Sequence, residues 1–348
     1  MTLWRFASIL GTIALLVAIA AILGRAQLPV PLVVASMLRT TVQVATPLTL
    51  GALAGVCCER AGVINIAIEG MMLLGAFCGF VAALYTYQAL GSGGVGLSLA
   101  VGVAAAVLGG GLAGVFHALL CVTYRVDQII SGTVINVLAV GLTSYLNRVL
   151  FFQGAAPPGP GVLPTLTLPL LGDVRGLGQI LEQQPIALAA IVLVVLTQWA
   201  LFHTVWGLRT RAVGEYPLAA AAAGIDVIRV RYASVIVGGL LAGLAGAYLT
   251  LESVPSFEPL MTSGRGFIAL AAMIFGGWTP LGAWAASLMF GAAQALQINA
   301  QAVGLPVPSQ LVGMLPYLLT MLALAGLVGR TRPPAADGQP YDPQEARA

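Results

Sequence analysis

Apolar runs long enough to cross a bilayer follow one another along most of the chain, and polar groups interrupt them at a few defined places. A spanning helix needs about 20 mostly apolar residues. Runs of this kind lie at roughly 6–24, 30–57, 70–90, 95–123, 128–152, 185–204, 232–250, 281–299 and 310–328. A further piece, 266–277, is too short to cross. The run at 6–24 is longer than the core of a secretory signal, and more spans follow it, so it reads as a retained first span. The pattern predicts an all-α polytopic membrane protein with about eight to ten transmembrane helices, some of them broken or re-entrant.

Four interruptions carry the chemistry. The first is ERAGVINIAIEG, residues 59–70. A carboxylate at the centre of a membrane helix costs about 2.5–3.5 kcal/mol on insertion scales, so such groups face protein or a watery cavity. Gly62 and Gly70 bracket the cluster, and a helix break between them exposes backbone to a cavity. If the intervening piece is helical, Asn65 and Glu69 are four apart and share a face. Glu69 then either lines a substrate pathway or pairs with a neighbouring helix, whereas Glu59 and Arg60 read as markers of a membrane boundary.

The second interruption, DQIISGTVIN (127–136), gives a polar start to an apolar span. Its deepest polar residue, Asn136, either faces the pathway or bonds another helix. The third, RTRAVGEYPLAAAAAGIDVIRVR (209–231), places a short Ala-rich helix between Pro217 and Gly224, in the Pro-first, Gly-last order that brackets helices. It reads as a docking element for another protein or as an ordinary interfacial turn. In the fourth, GRGFIALAAMIFGGWTPLG (264–282), Gly276, Gly277 and Pro280 stop the short apolar piece. Trp278 at that stop either gates a pathway or anchors at an interface.

Composition narrows the class. The 348 residues are 59% hydrophobic and 8% charged, against about 25% charged in a soluble domain. All fifteen basic residues are Arg, and they are scattered, which argues against a nucleic-acid surface. Arg209, Arg211, Arg229 and Arg231 fall in one loop and Arg330, Arg332 and Arg347 in the tail, whereas the loop 153–184 has only Arg175. Positive-inside reasoning puts 205–231 and both termini in the cytoplasm and 153–184 outside. The chain divides into a membrane domain, 1–329, and a flexible polar tail, 330–348.

Cys57, Cys58, Cys78 and Cys121 form no C-x-x-C pair and read as buried thiols; His117 and His203 read as structural. Small-xxx-small pairs, among them Gly51/Gly55, Gly75/Gly79, Gly110/Gly114 and Gly239/Gly243, suit close helix packing in lipid. LGALAG at 50–55 is echoed by LLAGLAG at 240–246, each preceding a polar, Gly-rich break, as in transporters built from duplicated halves. No phosphate-binding loop is present, and a chain without Lys completes none.

Taken together, ERAGVINIAIEGMMLLGAF, RAVGEYPLAAAAAGIDVIRVRYASVIVGGLLAGLAGAYLTL and GRGFIALAAMIFGGWTPLGA resemble the membrane subunits of bacterial ATP-binding-cassette importers, over roughly residues 40–330. Within these they are similar to the nucleoside and simple-sugar branch related to ribose-type permeases, and the E-R-A-G-x-I-N-I-x-x-E-G form points to nucleosides. The resemblance implies a multi-pass permease of the bacterial inner membrane that works as a dimer, commonly with a sister permease. Cytoplasmic ATPase subunits would bind the ATP, and a periplasmic or lipid-anchored binding protein would deliver the substrate. The chain itself would hold no cofactor and no metal. Glu215, Pro217, Ala220 and Gly224, with Arg209 and Arg211 beside them, match the family's cytoplasmic coupling segment. Asn65, Glu69, Asn136 and Trp278 are the candidates for the pathway.

Two departures stand out. Relatives commonly show Asn at Tyr216, which can cap a helix as Tyr cannot. They often show Gly and Leu at Ala67 and Ile68. The alternatives are a ribose- or galactose-type permease and, from another class, a secondary transporter that relays an ion through a carboxylate such as Glu69.

Overall fold

The computed structural model describes residues 30–151, 159–166, 182–302, 314 and 332–342. The expected spans at 6–24 and 310–328, and most of the loop 153–184, lie outside the described residues. Among the described residues, seven helices are long and apolar enough to cross a membrane, and one shorter apolar helix accompanies them.

The helices are α1 (Val30–Glu59), α2 (Ile68–Leu90), α3 (Val95–Ala118), α4 (Gln128–Leu150), α5 (Pro185–His203), α6 (Val205–Glu215), α7 (Pro217–Ala222), α8 (Val227–Tyr248), α9 (Arg265–Phe275) and α10 (Pro280–Ala302). Single π-turns extend α3 to Thr123 and α8 to Ser253. The apolar runs expected from the pattern match these helices within a few residues. The half-span expected at 266–277 is α9, and Gly276 and Pro280 stop and restart the chain as anticipated.

Glycine stripes set the spacing of the core. Gly243 of α8 lies against Gly75 of α2 and Gly110 of α3, and Gly239 against Gly114. A Cβ at Gly75 would stand 2.7 Å from the Gly243 backbone, so the helices meet backbone to backbone. The Gly51/Gly55 pair serves α9 instead, seating Ala269 and Met273.

These contacts also fix direction. The order 51–269, 55–273 makes α9 parallel to α1, while the order 54–238 and Cys58–Ser234 makes α8 antiparallel to α1. The LGALAG and LLAGLAG helices therefore run in opposite senses. Each is followed by an irregular segment and then a helix, α2 or α9, running in the opposite sense; α2 returns beside α1, whereas α9 packs on α1 rather than on α8. This is the geometry of an inverted repeat.

Residues 332–342 depart from the free tail that their composition suggests. They form a strap packed across the end of the bundle that carries α6 and α7 (below, the hairpin end), with Pro334 and Ala336 buried. Composition misled here because the strap is held by backbone groups and by single charges, neither of which leaves a hydrophobic signature.

Candidate functional site

The segment 60–67 between α1 and α2 is not helical. Gly62 turns it with φ 78°, and it then dips into the bundle. Gln128, at the start of α4, accepts the Ile64 N–H at 2.6 Å. Asn136 donates to the Ile66 carbonyl at 2.9 Å. Asn136 lies eight residues, about 12 Å, further along α4. His117 braces the dip from α3: Nε2 is 3.1 Å from the Ile64 carbonyl, which only accepts, so that nitrogen carries the proton. Nδ1 then accepts from the Ser131 hydroxyl at 3.0 Å.

The dip starts α2 well inside the bundle, and Glu69 falls in its first turn. Facing it is the N-terminus of α9, reached after the chain returns from the end of α8. Glu69 Oε1 accepts the Gly264 N–H at 2.8 Å and Oε2 the Gly266 N–H at 2.6 Å. One carboxylate therefore satisfies two orphan donors of α9 while sitting in the positive field of the α2 N-terminus. Gly266 is required by this approach, since a Cβ there would lie 2.6 Å from the Glu69 backbone. Asn136 closes the junction, accepting the Gly70 N–H at 2.7 Å.

A cleft of about 300 Å³ opens at this junction. Its polar lining is Glu69, Asn136 and Thr262; Leu73, Val137, Leu260 and Phe267 supply apolar wall. The cleft is at the small end of the range for ligand pockets. It combines a half-buried carboxylate, an amide and two helix N-termini within the membrane zone, an arrangement suited to orienting a polar solute.

Of the four pathway candidates, two share this cleft and two do not. Asn65 does not lie on a helix face with Glu69, because the segment before Ile68 is irregular and turns at Ile66 and Ala67 rather than continuing as a helix. Asn65 is fully buried and donates to Cys58 Sγ at 3.3 Å. Trp278 is buried at the hairpin end, and its Nε1 donates to Glu59 Oε2 at 2.6 Å.

Glu59 and Arg60 do more than mark a boundary. Arg60 donates to the carbonyls of Trp278 at 2.7 Å and Gly277 at 3.2 Å. These two residues take positive φ, 54° and 62°, a conformation costly for a residue as bulky as Trp. The pair at the end of α1 thus fastens the turn between α9 and α10. The arginine's hold on two carbonyls is invisible in sequence because its partners are backbone atoms more than two hundred positions away.

The hairpin forms as the Pro/Gly bracket predicts, with Pro217 opening α7 and Gly224 at φ 82° closing it. Tyr216 makes no side-chain cap, in line with its departure from Asn. Ala220 faces inward, packed with Val213, Val227 and Tyr341 of the strap; Tyr216, Leu218 and Ala219 are exposed, as are Ala222 and Ala223 at the exit. Arg209 is exposed, while Arg211 stacks 4.9 Å from the Phe202 ring centroid. The Glu215 carboxylate accepts the Ala335 N–H of the strap at 3.2 Å.

The four cysteines are free thiols, buried except for half-buried Cys78. Among the described residues no group of three or more His, Cys, Asp or Glu side chains is placed to hold a metal ion. A further carboxylate that sequence reasoning missed, Glu252, follows α8 and accepts the Ile186 and Ala187 N–H groups, capping α5 as Glu69 caps α9.

Comparison with known proteins agrees with this architecture. The family described as branched-chain amino acid transport system, permease component, matches residues 37–324. The guanosine ABC transporter permease protein NupQ of Bacillus subtilis is 40% identical, over 86% of this chain and 94% of its own. The nucleoside ABC transporter permease protein NupC of Lactococcus lactis is 38% identical, over 85% and 93% respectively. A second Bacillus subtilis protein, the guanosine ABC transporter permease protein NupP, is 29% identical over 78% of this chain and 76% of its own. No solved structure matches the chain. A multi-pass helical bundle with paired broken helices, matched along nearly its whole length, belongs to the branched-chain amino acid transport-type family of ABC transporter permease components.

Proposed function

We propose that the chain is a membrane-spanning subunit of an ATP-driven importer and forms, by alternating access, a translocation pathway for nucleosides. The observation that carries this reading is the 40% identity to a guanosine permease along almost the full length of both chains. A simple-sugar cargo has weaker support: the putative glucose ABC transporter permease protein TsgC13 of Haloferax volcanii is 34% identical, over 85% of this chain and 93% of its own.

In this reading ATP binds to separate cytoplasmic ATPase subunits, which push on the α6–α7 hairpin through Tyr216, Leu218 and Ala219. Glu215, Pro217 and Gly224 shape that hairpin, and Arg209 and Arg211 flank it. Bacillus subtilis has two distinct guanosine permease proteins, NupQ and NupP, which supports a sister permease as the second half of the pathway. A lipid-anchored or periplasmic binding protein delivers the cargo from outside. Both termini and the hairpin lie on the cytoplasmic side of the bacterial plasma membrane, following the Arg distribution.

Glu69 and Asn136 lie in the pathway, presenting a carboxylate and an amide to the hydroxyl and base edges of a nucleoside. Asn65 and Trp278 act one layer away, holding the dip and the α9–α10 turn. The test is uptake of labelled guanosine into liposomes holding the complete transporter. Uptake that requires ATP and the partner ATPase supports the proposal. Uptake by this chain alone under an ion gradient would replace it with a secondary transporter.

A further inference from the structure

At the hairpin end the strap touches the hairpin, the dip and the turn between α3 and α4. On one side it is bonded to the hairpin. The Ala336 N–H donates to the Gly214 carbonyl at 2.9 Å, the Ala335 N–H to Glu215, and Tyr341 packs beside Ala220. At the exit of the hairpin, buried Arg231 donates to the Gln339 carbonyl at 2.8 Å. On the other side the strap lies on the dip. A Cβ at Gly62 would stand 2.9 Å from the Ala336 carbonyl oxygen, and one at Gly338 would stand 2.7 Å from Ile64.

The connection continues inward. The Asp337 carboxyl lies beside that of Glu59, so that one proton held between them would join the two. Glu59 in turn holds the Trp278 indole. At the strap's far end Asp342 forms a two-pronged ion pair with Arg125, at 2.8 and 3.1 Å, in the turn between α3 and α4. A strap that only covered the bundle end would need no carboxyl such as that of Asp337 turned inward toward Glu59.

We propose that residues 332–342 are a mechanical link, with Asp337 its positioning residue, that carries movement of the hairpin to the two broken segments at 60–67 and 276–279. This rests on the reading of the hairpin as the element an ATPase pushes. Without the link, a displaced α7 slides over the bundle end. With it, α7, the dip and the α9–α10 turn move together, and those two segments lead directly to α2 and α9, whose N-termini meet at Glu69. The coupling is physical because each step is a direct contact, bonded or packed, between elements distant in sequence.

The experiment uses the complete transporter, with its ATPase, sister permease and binding protein, in liposomes. The readout is guanosine imported per ATP hydrolysed, for the unaltered chain, Asp337→Ala and Asp337→Asn. Asp337→Ala is expected to assemble and hydrolyse ATP while this ratio falls about tenfold, within the range for an interaction that couples two sites. Asp337→Asn, which can still bond Glu59, is expected to restore most of the ratio. Tyr341→Ala leaves Glu59 covered and serves the same comparison if Asp337→Ala does not assemble; it too is expected to lower the ratio. An unchanged ratio in the assembled variants, even with less complex in the membrane, would overturn the link while leaving the ATP-driven reading in place. Uptake by the unaltered transporter that ignores ATP would overturn that reading and the link with it.

Discussion

Glu69 and Gly266, 197 positions apart, are joined by a hydrogen bond of 2.6 Å from the glycine N–H to the carboxylate. It ties the first turn of α2 to the first turn of α9, the two helices that start inside the bundle. The membrane zone holds few carboxylates, and the structure gives each a donor set of backbone or indole N–H groups. Glu69 takes the α9 N-terminus, Glu252 the α5 N-terminus, and Glu59 the Trp278 indole. Helix N-termini supply paired donors and a favourable field without a cation, which is how a chain this poor in basic groups keeps charge in lipid.

Glu69→Gln is expected to impair uptake more than Glu59→Gln. A glutamine at 69 keeps one acceptor but turns an NH2 group toward a backbone N–H, so one bond to α9 becomes repulsive. A glutamine at 59 still accepts from the indole and can donate to Asp337, replacing the shared proton. Loss of a charge-assisted bond costs about 1.5–3 kcal/mol, so guanosine uptake by the Glu69 variant should fall about tenfold or more. Equal and small losses in a transport assay of both variants would return Glu69 to a purely structural role.

Gly266→Ala probes the same junction without touching a charge. The new methyl would lie 2.6 Å from the Glu69 backbone, and backbone on both sides cannot give way as a flexible side chain would. The α9 N-terminus must withdraw from Glu69. Thermal unfolding of the purified chain should shift downward, and substrate uptake should fall with it. A variant of unchanged stability and activity would mean that α9 is not seated on Glu69 in the working protein.

In the hairpin, Gly224→Val forces a β-branched residue to φ 82°. A left-handed conformation costs an ordinary residue about 1–2 kcal/mol, and a β-branched residue more. Space is open around Gly224, so the effect is backbone strain rather than a clash. The exit of α7 should distort while the spanning helices insert normally. The expected outcome is normal membrane insertion with ATP hydrolysis no longer coupled to import. Import at the normal rate would remove the docking role from this segment.

Much of the architecture could be read from hydropathy, because an apolar helix announces itself by length alone. The breaks were legible too: Gly62, Gly276, Gly277 and Pro280 mark where a helix stops. What they could not show is where each interrupted chain goes. Asn65 and Glu69 would share a face on a continuous helix, and the irregular dip separates them. Trp278 reads in sequence as a gate or an interfacial anchor, yet its ring is turned onto Glu59 by a positive-φ turn that Arg60 holds. The cleft joins residues from α2, α4 and α9, and no local pattern encodes that meeting. The strap was missed for the complementary reason: its hold depends on the Gly214 carbonyl, on Arg231 and on Glu59, none of which is visible from a polar, Pro-containing tail.

The seat of the strap should weaken as pH rises. Burial pushes the Asp337 carboxyl up from 3.8 to about 6, while the hydrogen bond from Glu59, the Gly338 N–H and the nearby Arg231 charge hold it from rising further. The groups facing it are Glu59 from α1, with Trp278 behind, and Arg231 from α8, with Tyr341 on the strap itself. A carboxyl that holds its proton more tightly when seated than when free takes up a proton on seating. The seated form is therefore favoured most below about pH 4. That advantage is lost as pH rises through about 6. A nitroxide on Ala335→Cys, in a Cys78→Ala background of the purified transporter, should be less mobile at pH 5.5 than at pH 8. Asp337→Asn removes the titrating group and should flatten the difference. If the variant keeps the full pH dependence, the proton taken up on seating belongs to another group, and Asp337 does not set the strap's grip.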